Sequence, residues 1–262
     1  MLFKIQSELT YEVYAPTTYI FNIQAAKTAS QTILEESITL SPDLKFEEFT
    51  LYNSETRFIK MQINYGTFTI TYKANVEVPF ILTDESTVYN TLPFIEMNNE
   101  VLPYISPSRY CESDKLMQFA NKEFGHLTTV YAKAEAINNW VFNSIQYISG
   151  STNSNISACD TLISRIGVCK DFAHVAIALC RALDIPARYC TGYASGLIPP
   201  DIHASFEAYI GNQWHLFDPT GLSAKNGFVK IAHGKDAAEA AVATYFGSTF
   251  CSNMIVQCDM VL

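Results

Sequence analysis

Cys169 is the residue of this sequence best placed to act as a nucleophile. It lies two residues after Gly167, at the start of an apolar segment that is predicted to be helical over about 168–183. Unpaired backbone N–H groups and the positive end of the helix dipole favour a thiolate at such a position, and the same N–H groups could bind an oxyanion. A buried structural cysteine is the alternative, because cysteine is among the most buried residue types. Position alone does not separate these two interpretations.

A predicted hairpin at residues 204–217 brings together a base and a carboxylate. Gly211-Asn212 predicts a two-residue turn of type II′. Closing the hairpin there places Asp218 opposite Ser205 and diagonal to His203 on one face, about 7–8 Å apart along the diagonal. A carboxylate at that distance can fix the imidazole tautomer and stabilise its cation, which is what a thiol nucleophile needs from its base.

The other histidines are weaker candidates for that base. His215 falls on the apolar face of the hairpin and is expected to be a core residue. His174 lies five positions after Cys169 on the same helix, so it faces away from the thiol. His126 and His233 have no carboxylate-bearing strand predicted beside them. A His–Asp pair on a hairpin is often structural, but its combination with a cysteine at a helix start favours catalysis.

Short segments in a fixed order surround these residues: Gly167–His174, Ile185–Tyr189, Gly192-Tyr193, His203-Ala204 and Asp218–Thr220. In this order they closely resemble the bacterial transglutaminase-like superfamily, whose members are often classed as cysteine proteases. Further similarities are found at Pro107–Tyr110, Tyr147 with Gly150, Ser157-Ala158 and His233–Ala237. The β-rich N-terminal part is similar to a β domain that precedes the catalytic domain in one bacterial branch. The resemblance therefore covers nearly the whole chain.

The resemblance implies a role for each residue that it matches. Cys169 would be the nucleophile, His203 the base and Asp218 the orienting carboxylate, on a papain-like core. Asp171 and His174 also match the family motif, and the resemblance implies that they support the site rather than take part in the chemistry.

Two positions depart from the patterns of related enzymes. Ile163 stands where papain-type proteases place the glutamine that binds the oxyanion, so the Cys169 N–H needs another partner, for which Tyr147 is a candidate. Ser205 stands where the family usually has a tryptophan, two residues after His203. The motif continues beyond that position, which indicates altered substrate contacts more than lost catalysis.

The elements that would carry these residues divide into two regions. Strands are predicted up to about residue 105 and form an antiparallel β-sandwich, and a proline-containing stretch at 102–108 is predicted to be a linker. Residues 106–262 are predicted to form an α+β domain, with helices at 114–124, 130–144, 157–165 and 168–183, a strand at 188–193, the hairpin at 204–217, an alanine-rich helix from Asp236 and a closing strand from about Asn253. The resemblance implies that this is the transglutaminase-like (papain-like) catalytic domain.

Composition limits the remaining possibilities. Of the 262 residues, 48% are hydrophobic and 16% charged, as in soluble globular proteins, and the net charge of −9 disfavours nucleic acids and anionic membranes as partners. No apolar block suggests a signal peptide or a membrane span. The seven cysteines form no C-x-x-C pair, so reduced thiols and a cytoplasmic location are expected. No cofactor or metal is expected, because zinc-site and phosphate-loop spacings are missing.

These observations predict a thiol-dependent hydrolase that cleaves a peptide or amide bond through an acyl-enzyme. The expected substrate is a peptide, a protein or a small amide. Transfer of the acyl group to a lysine amine, as in a transglutaminase, is the alternative within the enzyme class. A catalytically inactive binding or scaffold protein is the alternative outside it, motivated by Ser205.

Overall fold

Strands precede and follow a block of helices in a computed structural model that describes residues 1–51, 55–80, 93–224 and 226–261. The helices are α1 (Ser113–Phe124), α2 (Val130–Ser144), α3 (Ala158–Ser164) and α4 (Cys169–Ala182). The strands are β1 (Leu2–Val13), β2 (Thr17–Phe21), β3 (Thr32–Ser41), β4 (Glu47–Thr50), β5 (Arg57–Ile63), β6 (Gly66–Glu77), β7 (Gln146–Tyr147), β8 (Ile166–Gly167), β9 (Ala187–Ala194), β10 (Ile202–Ile210), β11 (Gln213–Phe217), β12 (Phe228–Gly234), β13 (Ala243–Phe246) and β14 (Thr249–Val261). The predicted α+β class is confirmed.

Two antiparallel sheets, with strand orders β14-β1-β6-β3 and β13-β2-β5-β4, form the N-terminal unit. Alternate side chains of β1 are more deeply buried, as the strand period of two requires. Aromatic rings from both sheets meet between them. Tyr11 and Phe68 of the first sheet contact Tyr19 of the second, with ring centres 5.3 and 5.0 Å apart. The sheets therefore pack face to face around an aromatic core.

The last two strands of the chain return to this unit. β13 pairs with β2, and β14 pairs with β1 from Leu2↔Val261 to Val13↔Thr249. The predicted division into residues 1–105 and 106–262 therefore does not coincide with the division of the sheets, because residues 243–261 complete the sheets that β1 and β2 begin.

The helix predicted from Asp236 is wrong. Residues 236–242 form turns and bends, and β13 follows. Two backbone groups of this segment form hydrogen bonds with side chains elsewhere in the fold. The N–H of Ala237 donates to Nε2 of His174 at 3.1 Å, and the carbonyl of Ala240 accepts from Oγ1 of Thr191 at 2.7 Å. Those contacts replace the intrahelical bonds that alanine propensity favours.

The central helix α4 lies between the other helices and a sheet with strand order β11-β10-β9-β12. Every residue from Asp171 to Ala182 is buried, which includes the polar positions His174 and Arg181. The helix ends where Asp184 adopts a φ of +60° and Pro186 follows. None of the helices in the described residues combines the length and the apolar character needed to cross a membrane.

The stretch predicted as a linker is fixed to the unit that contains α4. A 3-10 helix spans Asn99–Tyr104. Arg181 then donates to the carbonyl of Ser106 and to Oγ of Ser108, both at 3.1 Å, and also to the carbonyls of Ala187 and Lys235. This buried guanidinium joins the segment to α4, so it is not a free linker.

Candidate active site

Cys169 is the first residue of α4 and is half-buried. The turn before it is held by Asp171, a fully buried carboxylate. One of its oxygens accepts from the N–H of Val168 at 2.9 Å, and the other accepts from Oγ1 of Thr152 at 3.0 Å. Gly167 leaves room for this clamp, because a Cβ there would lie 2.7 Å from Cβ of Asp171. The sulfur is therefore presented by a rigid turn.

His203 lies near the start of β10, and Asp218 lies directly after β11. The hairpin pairs as predicted, from Ile210↔Gln213 to Phe206↔Phe217. Its turn is type I′ instead of the predicted II′, because φ is positive at both Gly211 (57°) and Asn212 (66°). Nε2 of the buried His203 lies 3.0 Å from Oδ2 of Asp218.

Four hydrogen bonds hold the Asp218 carboxylate in place. Thr220 donates to Oδ1 from its N–H at 3.0 Å and from its hydroxyl at 2.7 Å. Ser223 donates to Oδ2 from its N–H at 2.9 Å and from its hydroxyl at 2.8 Å. Burial alone would raise the pKa of Asp218, but hydrogen bonds from His203 and from these residues hold it well below its usual range.

The imidazole of His203 also interacts with the sulfur of Cys169. Burial lowers the pKa of His203, but its hydrogen bonds to Asp218 and Cys169 outweigh that effect and raise the pKa to about 9. Because Nε2 faces the carboxylate, Nδ1 is the nitrogen available to the sulfur. The structure thus brings together the three residues predicted as nucleophile, base and orienting group.

Phe228 supports the imidazole from β12, which is separated from the strand of His203 by β9. Its ring centre lies 6.4 Å from that of His203 in an edge-on arrangement. The ring occupies the space left by Gly192, where an added Cβ would clash with Phe228 and lie 2.5 Å from the carbonyl oxygen of Val229. The sequence contains Gly192 in its motif, but nothing local in the sequence indicates the part that Phe228 plays.

Tyr147, predicted as an oxyanion partner, lies beside the cysteine. β7 and β8 pair in parallel, with Tyr147 opposite Gly167. Burial, and then the proximity of Cys169, raises the pKa of Tyr147 to about 12, and its hydroxyl is also close to the backbone N–H of Cys169. A protonated phenol and a backbone N–H next to a nucleophile are the donors that an oxyanion hole requires.

His174 does not face the thiol, as predicted. It is fully buried between Tyr110 and Tyr189, with ring centres 5.0 and 5.2 Å away. Burial lowers its pKa to about 3, so it is neutral and Nε2 accepts the N–H of Ala237. His174 therefore anchors the 236–242 segment to α4. Among the described residues, no group of three or more histidine, cysteine or acidic side chains could hold a metal ion.

A cluster of three buried charges lies next to the strand that bears His203, and Glu207 of that strand is its central carboxylate. Glu207 accepts from Nε of Arg188 at 2.6 Å and from Nζ of Lys230 at 2.7 Å. Between His203 and Glu207, Ser205 is fully buried, and within the described part of the chain its hydroxyl has no hydrogen-bond partner. Sequence reasoning missed this cluster, because its three charges come from three different strands.

Comparisons with known proteins identify the family of this chain. The model of the bacterial transglutaminase N-terminal domain matches residues 1–100, and that of the transglutaminase-like superfamily matches residues 117–219. A protein of Cytophaga hutchinsonii whose crystal structure is described as that of a "Putative Cysteine Protease" is 51% identical, with a TM-score of 0.95 over 99% of this chain and 90% of that one. An uncharacterized protein of Mycobacterium leprae is 23% identical over 248 residues, 88% of each chain. The chain belongs to the transglutaminase-like superfamily.

Proposed function

We propose that this protein is a thiol-dependent hydrolase of peptide or amide bonds, with Cys169 as nucleophile, His203 as acid and base, and Asp218 as orienting group. The observation that carries the proposal is the shared imidazole. Nε2 of His203 lies 3.0 Å from Oδ2 of Asp218, and the same imidazole interacts with the sulfur of Cys169 at the start of α4. Membership of the superfamily and similarity to the Cytophaga protein support an enzyme of this class.

In the first half-reaction the Cys169 thiolate attacks the carbonyl carbon and a C–S bond forms. The carbonyl oxygen becomes an oxyanion, which the Cys169 N–H and the Tyr147 hydroxyl stabilise. The C–N bond then breaks, and the leaving nitrogen takes the proton of the His203 imidazolium. The amine departs and a thioester remains.

In the second half-reaction the neutral His203 takes a proton from water as the water oxygen attacks the thioester. The C–S bond breaks, the carboxylic acid leaves, and the thiolate–imidazolium pair is restored. A pKa of about 9 suits this cycle, because His203 is then protonated at neutral pH before the amine leaves.

We further propose a peptide, a protein or a small amide as substrate, without nucleic acid or membrane partners. The net charge of −9 supports this proposal, because it repels phosphate groups. A cytoplasmic location is proposed on the sequence pattern of the seven cysteines. Transfer to a lysine amine is the second candidate, because an amine could attack the same thioester in place of water.

Alkylation by iodoacetamide at pH 6 tests the proposal. An ordinary cysteine has roughly 0.3% thiolate at that pH, so we expect Cys169 to be modified at least about tenfold faster than the other six cysteines. His203→Ala should remove this preference. His215→Ala is the matched control. It also removes an imidazole from this hairpin, but one that bonds to the backbone carbonyl of Ile210 on the adjacent strand, at 3.1 Å.

Uniformly slow labelling of all the cysteines would contradict the proposal and favour a scaffold protein. If Cys169 is reactive, incubation of peptide substrates in ¹⁸O water with and without added lysine separates the two enzyme candidates. Incorporation of ¹⁸O into the acyl product indicates hydrolysis, and an isopeptide product indicates transfer.

A further inference from the structure

Asp201 lies at the entrance to the proposed active site, on the face of β10 that bears His203. It immediately precedes this strand. Because side chains alternate along an extended chain, residues 201 and 203 point the same way, with Cα atoms about 6.6 Å apart. Asp201 interacts electrostatically with both His203 and Tyr147, so its charge lies near the base and the proposed oxyanion donor.

The carboxylate of Asp201 is oriented but not neutralised. Oδ1 accepts from the N–H of Ile202 at 2.7 Å, which leaves Oδ2 available. Asp201 forms no ion pair within residues 1–51, 55–80, 93–224 and 226–261, whereas Asp171 contacts Lys170 and Asp218 contacts His203. The side chain is exposed, so a solute entering the cleft can reach it.

The loop before Asp201 is anchored, which fixes the position of this charge. The N–H of Ser195 donates to the carbonyl of Gly227 at 2.7 Å, and the carbonyl of Ser195 accepts from the N–H of Ala224 at 3.0 Å. Leu197 packs against a small apolar cluster that contains Phe228, the residue that also contacts His203. Asp201 is therefore held relative to the imidazole from both sides.

A groove of about 460 Å³ lies beside the loop that leads to Asp201 and includes Pro200 in its wall. Its wall includes Leu197, Ile198, Pro200, Gln257, Asp259 and Met260. The lining contains one further carboxylate, Asp259, and no basic side chain. The groove therefore adds negative charge beside the loop that leads to Asp201 and offers no basic side chain to neutralise it.

From this arrangement we infer that Asp201 selects substrates that carry a cationic group, such as an ammonium or guanidinium ion, beside the scissile amide. The inference rests on the proposed function, because it assumes that Cys169 attacks that amide. Asp201 takes no part in proton transfer; it is a specificity residue that attracts one sign of charge to the cleft.

Charged thiol reagents test the inference without a known substrate. The probes are methanethiosulfonates with a trimethylammonium, a sulfonate or a neutral methyl group, and mass spectrometry follows modification of Cys169. In water, a unit charge at a separation of about 7–10 Å changes the rate of each charged reagent about twofold. Asp201→Asn should therefore lower the cation-to-anion rate ratio about fourfold, and Asp201→Lys should reverse the preference.

Asp184→Asn is the matched control. It removes the same charge at the far end of α4, about 22 Å from Cys169, and asparagine tolerates the φ of +60° found there. An unchanged ratio in Asp201→Asn, or an equal change in Asp184→Asn, would overturn the inference while Cys169 reacts quickly with the neutral reagent. If the neutral reagent modifies Cys169 no faster than the exposed Cys251, the proposed function fails first, and the inference fails with it.

Discussion

Oδ2 of Asp218 lies 3.0 Å from Nε2 of His203 and also accepts both the N–H and the hydroxyl of Ser223. Because three groups share this oxygen, the carboxylate cannot rotate without losing all of these contacts. The tautomer and the direction of the imidazole are thus set by a loop that follows β11. This arrangement makes the protonation of His203 measurable through changes at Asp218.

We predict that Asp218→Asn lowers the pKa of His203 from about 9. The carboxylate provides the largest of the interactions that raise this pKa, and its loss leaves the opposing effect of burial. Carbon-13 NMR of the His203 ring against pH measures the shift. The His215 ring in the same spectra is the control. An unchanged titration of His203 would contradict the arrangement.

The raised pKa of His203 also affects the stability of the fold. A histidine whose pKa is raised in the folded state stabilises the fold fully below its unfolded pKa of about 6.5. That contribution is lost as pH rises through about 9. We therefore expect the difference in the free energy of unfolding between wild type and Asp218→Asn to be larger at pH 6 than at pH 9.5. Urea denaturation at the two pH values measures it.

Asp171→Ala should slow alkylation of Cys169 as well as destabilise the fold. Asp171 holds the turn from which the sulfur projects, and loss of an N-terminal helix acceptor costs about 1–2 kcal/mol. The control is Asp160→Ala, which removes a comparable carboxylate from the N-H and hydroxyl of Ser157 at the start of α3. Equal rates of Cys169 alkylation in both variants would show that Asp171 is only a cap.

Gly192→Ala should displace the ring of Phe228 and disturb His203. Overpacking of this kind costs about 1–3 kcal/mol, measured as a lower midpoint of urea denaturation. The double variant Gly192→Ala/Phe228→Ala should recover little stability, because the carbonyl oxygen of Val229 also lies 2.5 Å from the new Cβ. Wild-type stability in Gly192→Ala would mean that the two strands can separate to admit a methyl group.

Glu207→Gln should destabilise the fold by about 3–5 kcal/mol, because it leaves two buried cations without their counter-charge. Its interactions with Lys230 and Arg188 outweigh burial and lower the pKa of Glu207 to about 2. The stabilisation that ionised Glu207 gives the fold is therefore present above pH 4.5 and decreases as pH falls toward 2. The exposed pair Glu47–Lys60 supplies the control, since Glu47→Gln should cost less than about 1 kcal/mol.

The site was predictable from sequence where its geometry is local. The turn at Gly211-Asn212 fixes the hairpin register, and the apolar character of α4 places Cys169 at the start of a buried helix. Ser223 and Phe228 were not predictable, because each contacts the site through folding of a loop or a strand that comes later in the chain.

The fold was predictable where side-chain period decides it, as in β1 and α2. Prediction failed from Asp236 onward, where distant groups take the backbone hydrogen bonds. It also gave no partner for the closing strand, because the register of β14 is set by β1 at the other end of the chain.

The pairing of β1 with β14 affects how the protein is made. Val261, the partner of Leu2 on one side, is synthesised 259 residues after it (261 − 2). At about 5–20 residues per second, more than about ten seconds pass before β14, which pairs with this edge of β1, has been synthesised. During that interval β1 is an open template for other strands, so synthesis of this chain should depend on chaperones more than its final stability suggests.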